Sequence, residues 1–242
     1  MLKNMTDGAP LKLIIPFTVP LLIGNVFQQL YNIADIIIVG RTIGVEALAA
    51  VGAVSPLFML TMVLTIGLSN GFTVVTGQRY GAQDMDGMRR SIGTCIVLSC
   101  FFVLLIMGIM HLIMRPALVL MNIPPELMAD AYAYVMIIVD GLFAMMAYNL
   151  LSGIMRSLGD SKTPLYFLII SSIVNIILAL VFIMYFGWGV PGSAIALVIA
   201  QAISAVLCVM YIYKRFPQLH IHRRDFKLDG KELWEHLRMG LP

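Results

Sequence analysis

The sequence predicts an all-α integral membrane protein, and three observations support this fold class. Of 242 residues, 60% are apolar and only 12% are charged, whereas a soluble domain carries about 25% charged residues. The apolar residues form long stretches of the ~20 residues that a helix needs to cross ~30 Å of hydrocarbon. Basic residues are dense in every second loop between these stretches, which indicates loops on alternating sides of a membrane.

Charged residues and Pro/Gly breaks divide the chain into six predicted spans. Their predicted bounds are 13–39, 48–76, 92–113, 129–151, 165–186 and 191–213. Fourteen Lys and Arg residues lie before span 1 or after spans 2, 4 and 6, and the other two are Arg41 and Arg115. Because positive charge is retained on the cytoplasmic side, we expect a multi-pass protein of the cell inner (plasma) membrane with both ends cytoplasmic.

The segment after span 6 has a different character from the spans. Residues 214–236 are too charged to cross a bilayer, and they predict a cytoplasmic connector with an amphipathic helix at the membrane surface. Residues 237–242 (LRMGLP) match residues 11–16 (LKLIIP) in a leucine, a base, an apolar residue and a final proline. Since this match falls where a new span would begin, we expect the start of a second repeat, with the chain truncated there.

Several function classes are disfavoured by the sequence. The basic residues of this chain, formally charged +3, lie mostly in loops beside spans, so no nucleic-acid partner is expected. Its three cysteines lie in apolar runs without CxxC pairing, and its four histidines, which lack metal-site spacing, are interpreted as solvated loop residues. Neither a nucleotide-binding GxxxxGK loop nor a DDxxD motif of prenyltransferases occurs. We therefore expect no enzyme activity, no bound metal and no cofactor.

Two carboxylates lie in the interior of predicted spans, Asp35 and Asp140, whereas Asp130 falls at the edge of the fourth span. An ionised acid in hydrocarbon costs ~2.5 to 3.5 kcal/mol, so each needs a reason. Asp35 ends a stripe with Asn25, Gln28 and Asn32, and at 100° per residue the four project within about 80° of one another. That face must look into a protein interior or a water-filled cavity. Interhelical hydrogen bonding explains Asn25 and Asn32 equally well, whereas for Asp35 proton or cation binding is favoured.

Four segments, in chain order, resemble the MATE family of multidrug and toxic compound extrusion transporters. These segments are residues 31–41 (YNIAD followed by VGR), 47–52 (ALAAVG), 77–82 (GQRYGA) and 152–164 (SGIMRSLGDSKTP). The resemblance implies a twelve-helix, inverted-V fold of two six-helix lobes that rock to expose a central cavity to each side in turn. It also implies that this chain is the N-terminal lobe and that the C-terminal lobe of the same transporter is its partner.

The resemblance implies a function as well as a fold. Members of the family are secondary-active antiporters that export cationic or amphipathic organic compounds in exchange for protons or sodium ions. An alternative is a flippase for lipid-linked sugars on a related scaffold. Such flippases tend to have strongly cationic cavities, and the predicted spans contain no Lys or Arg.

Motif positions also transfer residue roles from the family to this chain. Asp35 would be the coupling carboxylate, and Asn175 would join the same polar network. The substrate cavity of the lobe would be lined by Gln28, Tyr31, Asn32, Asn149 and Gln201.

The chain departs from the family pattern at two positions of this network. Ala179 stands where many bacterial members have an aspartate, and Leu197 replaces a frequent threonine. Sodium needs several oxygen ligands, so these losses favour proton coupling. Asp140, about 16 Å below the outer end of its span, is hypothesised to reach the cavity and replace the missing acid. The alternatives are that it pairs with a neighbouring hydroxyl or lies near the lipid interface.

Overall fold

In a computed structural model, residues 10–219, 223–226 and 229–240 are described. Helices account for every regular element in these ranges, and they form an antiparallel bundle. The helices are α1 (Pro10–Thr42), α2 (Val45–Gly81), α3 (Met85–Leu120), α4 (Pro125–Asp140), α5 (Leu142–Ser157), α6 (Lys162–Leu180), α7 (Gly189–Arg215) and α8 (Gly230–Gly240). A π-helical turn, Val181–Tyr185, continues α6, and two short 3-10 turns, Pro217–Leu219 and Arg223–Phe226, follow α7.

The predicted fold class is confirmed. Five helices of the described chain are long and apolar enough to cross a membrane, and α4 with α5 is long and apolar enough to count as a sixth, bent span. The helices run past the predicted spans at several ends; α2, for example, begins at Val45 and ends at Gly81. Hydropathy detects only the part of a helix that suits hydrocarbon, whereas the backbone hydrogen-bond ladder continues into the polar layer.

The fourth predicted span, residues 129–151, corresponds to two helices, α4 and α5, rather than to one. It bends by 46° at Gly141, between α4 and α5. The bend lies against α7, where a β-carbon on Gly141 would stand 2.2 Å from Cγ2 of Val198. We call this bend the elbow. Glycine is required there because no side chain fits between the elbow and α7.

The bundle has two distinct ends. The basic end carries Arg79, Arg89, Arg156, Lys162 and Lys214, and the opposite end carries the α1–α2 and α3–α4 connections. Between these ends α7 packs against α4, α5 and α6, so it lies at the centre of the fold. Apolar side chains fill the core between the helices, and others cover the outer surface, as expected where lipid replaces water.

At the basic end α8 docks on α2 and α3. Its buried face consists of Glu232, His236 and Gly240. The side chain of His236 is fully buried, so the interpretation of this histidine as a solvated loop residue is wrong. The error arose because histidine spacing says nothing about tertiary burial. His220 and His222 lie outside the described residues.

The predicted division between the connector and the second repeat falls after residue 236, but α8 is continuous across that position. The helix begins at Gly230 and continues through that position to Gly240. Close backbone contact fixes its far end, since a β-carbon on Gly71 of α2 would lie 2.4 Å from Cα of Gly240. Residues 241–242 of the predicted second repeat lie outside the described residues.

Candidate functional site

The Asp35 carboxylate of α1 is bound by a serine of α7. The Ser193 hydroxyl donates a hydrogen bond to Oδ1 of Asp35 at 2.9 Å. Ser193 is fully buried, whereas Asp35 is partly buried. This contact joins two helices that are distant in sequence. The sequence did not predict the role of Ser193, because serine is common in closely packed membrane helices. Its position near the start of predicted span 6 was the one feature that could have indicated it.

Two tyrosines complete the surroundings of this carboxylate. Tyr31 lies one turn before Asp35 on α1, and Tyr134 comes from α4 and is 5% exposed. Both phenols lie within electrostatic range of the Asp35 carboxylate. Tyr31 was predicted from the family motif. Tyr134 was not, and nothing in the sequence around it distinguishes it from an ordinary interfacial tyrosine.

Asn175 lies on α6, which packs against both α1 and α7. Two hydrogen bonds set the register of α6 against α7: Ser171 donates to the carbonyl of Ala200 at 3.0 Å, and Ser204 donates to that of Phe167 at 3.1 Å. In this antiparallel register Asn175 faces position 196, about one turn or ~4.5 Å along α7 from Ser193.

The amide of Asn175 is both buried and unpaired. Its side chain is 1% exposed, and neither amide atom has a hydrogen-bond partner among the described residues. Because more than nine in ten buried polar groups are normally paired, such an orphan marks a place for a polar ligand or a functional strain.

The two departures from the family pattern lie in apolar surroundings. Ala179 is fully buried in a cluster with Ala196 and Ile183, against which Ile38 of α1 packs. Leu197 belongs to the main core and is 7% exposed. Neither position supplies an oxygen atom near Asp35.

A small cavity of about 80 Å³ opens near the basic end, between α1, α5 and α6. Gln28 and Asn149 line it, together with Asn25, Tyr148 and Arg156. The Asn149 amide also donates to the carbonyl of Met145 at 2.8 Å. Sequence reasoning missed Arg156 as a cavity residue because it falls at the polar end of its span.

The polar stripe of α1 is therefore divided between two places. Asn25 and Gln28 contact the cavity, whereas Asp35, about 15 Å along the helix from Asn25, contacts Ser193. Between them the Asn32 amide donates to Oε1 of Gln29 at 3.3 Å, on the same helix. The two halves of the predicted stripe thus have different partners.

The remaining predicted residues are more isolated. Gln201 is 7% exposed on α7, and its Oε1 has no partner among the described residues. The side chain of Asp140 is 59% exposed, and its Oδ1 lies 3.2 Å from Nε2 of His111 on α3. In the part of the chain that is described, Asp140 forms no hydrogen bond or ion pair with Asp35 or Asn175, and no three His, Cys, Asp or Glu side chains converge as metal ligands.

Comparisons with known proteins agree with this architecture. The sequence model of the MatE family matches residues 20–181. A probable multidrug resistance protein of Bacillus subtilis, YoeA, is 34% identical over 93% of this chain and 50% of its own length. A crystal structure of MATE in the straight conformation superposes with a TM-score of 0.89 at 30% identity, covering 98% of this chain and 53% of that one.

Two further structures, both at 31% identity, represent MATE family transporters of the MOP superfamily in two states. The outward-facing one has a TM-score of 0.88 and covers 98% of this chain and 53% of its own. The inward-facing one has a TM-score of 0.82 and covers 88% and 49%. The chain thus spans about half the length of the relatives that it matches. With two thirds of its residues inside the family match, this chain belongs to the MatE family of multidrug and toxic compound extrusion transporters.

Proposed function

We propose that the complete transporter is a secondary-active antiporter that exports cationic or amphipathic organic compounds in exchange for protons, and that this chain supplies its ion-coupling lobe. The observation that carries the proposal is the 2.9 Å hydrogen bond from Ser193 to Asp35. A carboxylate inside a membrane protein can take up a proton, and doing so changes how strongly it accepts a hydrogen bond. Protonation of Asp35 therefore alters the contact between α1 and α7.

Protons are proposed as the coupling ion in preference to sodium. A sodium ion needs several oxygen ligands, and around the Asp35 carboxylate we count the Ser193 hydroxyl, two nearby phenols and the amide oxygen of Asn175. Ala179 and Leu197 lie in apolar clusters and add none. Asp35 and Asn175 form the proposed coupling group. Asp140 is left out because its carboxylate contacts His111.

The cargo is proposed to bind between this lobe and a second one. Pockets for organic ligands measure roughly 300 to 1,000 Å³, and the cavity beside Gln28 and Asn149 holds about 80 Å³. This lobe therefore contributes one wall of a larger site, to which we also assign Tyr31, Asn32 and Gln201. The Asp35 carboxylate attracts organic cations, and Tyr31 can stack on their apolar parts.

The flippase alternative receives less support from this cavity. A cavity for a pyrophosphate-linked sugar needs several free cationic groups. Arg156 is the one cationic residue among those that line the described cavity, and its guanidinium donates to Oδ1 of Asn70 at 3.2 Å. The cation is thus already engaged by a neighbouring helix.

Transport would follow from alternating access. Relatives are known in outward-facing and inward-facing conformations, and an ion that binds one state better shifts the population toward it. We propose that the protein lies in the plasma membrane and that both ends of this lobe face the cytoplasm. Residues 214–236 would then form the connector to a second lobe that begins near residue 237.

Export by the full-length transporter, reconstituted in lipid vesicles, tests the proposal. We expect a pH gradient to drive efflux of a fluorescent organic cation and a sodium gradient alone to drive none. Asp35→Asn is expected to abolish the pH-driven flux, because an amide cannot exchange a proton. Asp130→Asn, which changes an exposed acid at the start of α4, is the matched control and should retain it. Normal export by Asp35→Asn would overturn the assignment of Asp35, and flux driven by sodium alone would overturn that of the proton.

A further inference from the structure

The cavity between α1, α5 and α6 is lined by a cationic side chain and by no anionic one. Arg156, in the last turn of α5, is the charged residue of this lining. The other polar residues of the lining are Asn25, Gln28, Tyr148, Asn149, Ser152 and Ser161, and the remaining ones are Pro, Gly and Leu. The lining of the cavity therefore carries a single positive charge.

Arg156 has no counter-ion among the described residues. Its guanidinium is partly buried and donates from Nη2 to Oδ1 of Asn70 at 3.2 Å. The Asn70 amide is neutral, and it accepts from one of the five N–H donors that a guanidinium carries. Arg79, at the same end of the bundle, lies instead 2.6 Å from the carboxylate of Glu232. Because a cation withdrawn from water is costly without an opposite charge, an anion would bind favourably beside Arg156.

Asp160, the acid nearest to Arg156 in the sequence, is held by other groups. Its Oδ1 accepts from the backbone N–H of Thr163 at 3.0 Å, and its Oδ2 accepts from the Thr163 hydroxyl at 2.7 Å. The phenol of Tyr211, on α7, donates to the same Oδ2 at 3.1 Å. Asp160 does not line the cavity. This carboxylate therefore caps α6 and contacts α7, and it leaves the charge of Arg156 unbalanced.

Hydrogen-bond donors reach the cavity from the other two helices as well. Ser161 lies directly before α6 and is 4% exposed, and its hydroxyl forms no hydrogen bond among the described residues. Asn25 and Gln28 of α1 bring side-chain amides to the cavity, and neither amide has a partner within the described part of the chain. A ligand in the cavity would thus meet free donors from α1, from α5 and from the start of α6.

The size of the cavity limits what it can hold. A buried water needs about 10 to 15 Å³ and an organic ligand roughly 300 Å³ or more, whereas this cavity measures about 80 Å³. A small polyatomic ion fits between these limits. Donors on three sides suit the oxygens of a tetrahedral group, and the fork of a guanidinium matches phosphate in particular. One guanidinium balances the single negative charge of a phosphodiester or of dihydrogenphosphate.

We propose that the Arg156 end of this cavity binds a phosphate group, which comes from a phospholipid headgroup or from inorganic phosphate. The guanidinium binds the charge, and Ser161, Asn25 and Gln28 donate to the phosphate oxygens. A bound phosphate thereby holds α1 against α5 and α6. This inference goes beyond the proposed antiport, because the phosphate is neither the cargo nor the coupling ion. A single cation suits one phosphate group and not a pyrophosphate, so the argument against the flippase is unchanged.

The first experiment measures phosphate binding to the full-length transporter, purified in detergent and freed of lipid. Sodium phosphate is titrated into the protein in a calorimeter, with sodium chloride keeping the ionic strength constant. We expect a saturable site that Arg156→Gln weakens about tenfold or more, because a charged hydrogen-bond donor is lost. Arg90→Gln makes the same change at an exposed arginine of α3 outside the cavity. This matched control should bind phosphate as the parent does.

The second experiment asks whether the phosphate belongs to a lipid. Native mass spectrometry compares the retention of phosphatidylglycerol with that of a diacylglycerol that has the same acyl chains but no phosphate. If the headgroup is the ligand, the parent should retain phosphatidylglycerol better than diacylglycerol, and Arg156→Gln should remove that preference. Arg156-dependent binding of inorganic phosphate alone would identify the free ion as the ligand, and Arg156-dependent retention of phosphatidylglycerol alone would identify the lipid.

Two further variants keep these tests decisive if Arg156→Gln fails to fold. Ser161→Ala removes a donor but keeps the charge, and it should weaken binding about two- to tenfold. Asn70→Ala breaks the hydrogen bond to Arg156 but keeps the guanidinium, and it should leave binding in place. Equal losses of binding in Asn70→Ala and Arg156→Gln would show that Arg156 has only a structural role.

That result would overturn the proposal, and two others would do the same. One is that neither sodium phosphate nor phosphatidylglycerol binds to the parent. The other is an affinity that stays the same in Arg156→Gln, or in Ser161→Ala where Arg156→Gln does not fold, because such binding would lie outside this cavity.

Discussion

The contact between the elbow and α7 gives a prediction whose magnitude follows from geometry. In Gly141→Ala the added β-carbon would lie 2.2 Å from Cγ2 and 2.8 Å from Cγ1 of Val198. Valine is β-branched and has few alternative rotamers, so the clash is not relieved by a side-chain rotation. Overpacking of this kind costs about 1 to 3 kcal/mol. The intrinsic gain from replacing glycine by alanine, about 0.4 to 1 kcal/mol, offsets only part of it.

The net expected loss is about 1 to 2 kcal/mol, which lowers Tm by roughly 2 to 8 °C in a domain of this size. Thermal unfolding of the protein in detergent measures it. Gly52→Ala on α2 is the matched control, since it makes the same chemical change at an exposed helical glycine with no atom within 4 Å of the added carbon. That control should keep or slightly raise Tm.

A second substitution decides whether the stated contact is the cause. Val198→Ala removes both methyl groups that the new carbon would meet. In the double variant, the loss of stability should be smaller than the sum of the losses in the two single variants. The difference, which is the coupling free energy of the two sites, should be about 1 kcal/mol or more. Strictly additive losses, or an unchanged Tm in the Gly141→Ala variant, would refute the argument that the elbow is packed directly on α7.

The docking of α8 on the basic end gives two more predictions. Burial lowers the pKa of His236 below its ordinary 6.5. Undocked α8 therefore binds a proton more readily than docked α8, and docking should weaken as pH falls below about 6.5. Hydrogen exchange of the α8 amides as a function of pH measures this, and the same pH dependence of exchange in His236→Gln would contradict it. The side chain of Glu232 is 7% exposed and lies 2.6 Å from Arg79. The substitution Glu232→Gln should therefore weaken the docking of α8 by about 1.5 to 3 kcal/mol. The same change at Glu235, which is 58% exposed, should cost under about 1 kcal/mol, and equal effects would contradict the buried role of Glu232.

Much of the candidate site could be predicted residue by residue, but its partners could not. The cost of an acid in hydrocarbon singled out Asp35, and helical periodicity placed it on one face with Gln28 and Asn32. The hydroxyl that binds Asp35 comes from residue 193, and no periodicity relates two helices that far apart in sequence. The contact between His111 and Asp140 could not be predicted for the same reason. In the sequence each is an isolated polar residue, and only the structure shows that they lie 3.2 Å apart.

The sequence by itself determined the fold class, the six spans and the division into a basic and an opposite end, because bilayer thickness and the placement of positive charge act on the chain locally. Only the tertiary structure decided the bend at Gly141, the buried dock of α8 and the partners of the two intramembrane acids. These features depend on which helix faces which, and at what register. Packing between whole helices determines the neighbours and the register. Many sequences with the same hydropathy pattern would insert into a membrane equally well but pack differently.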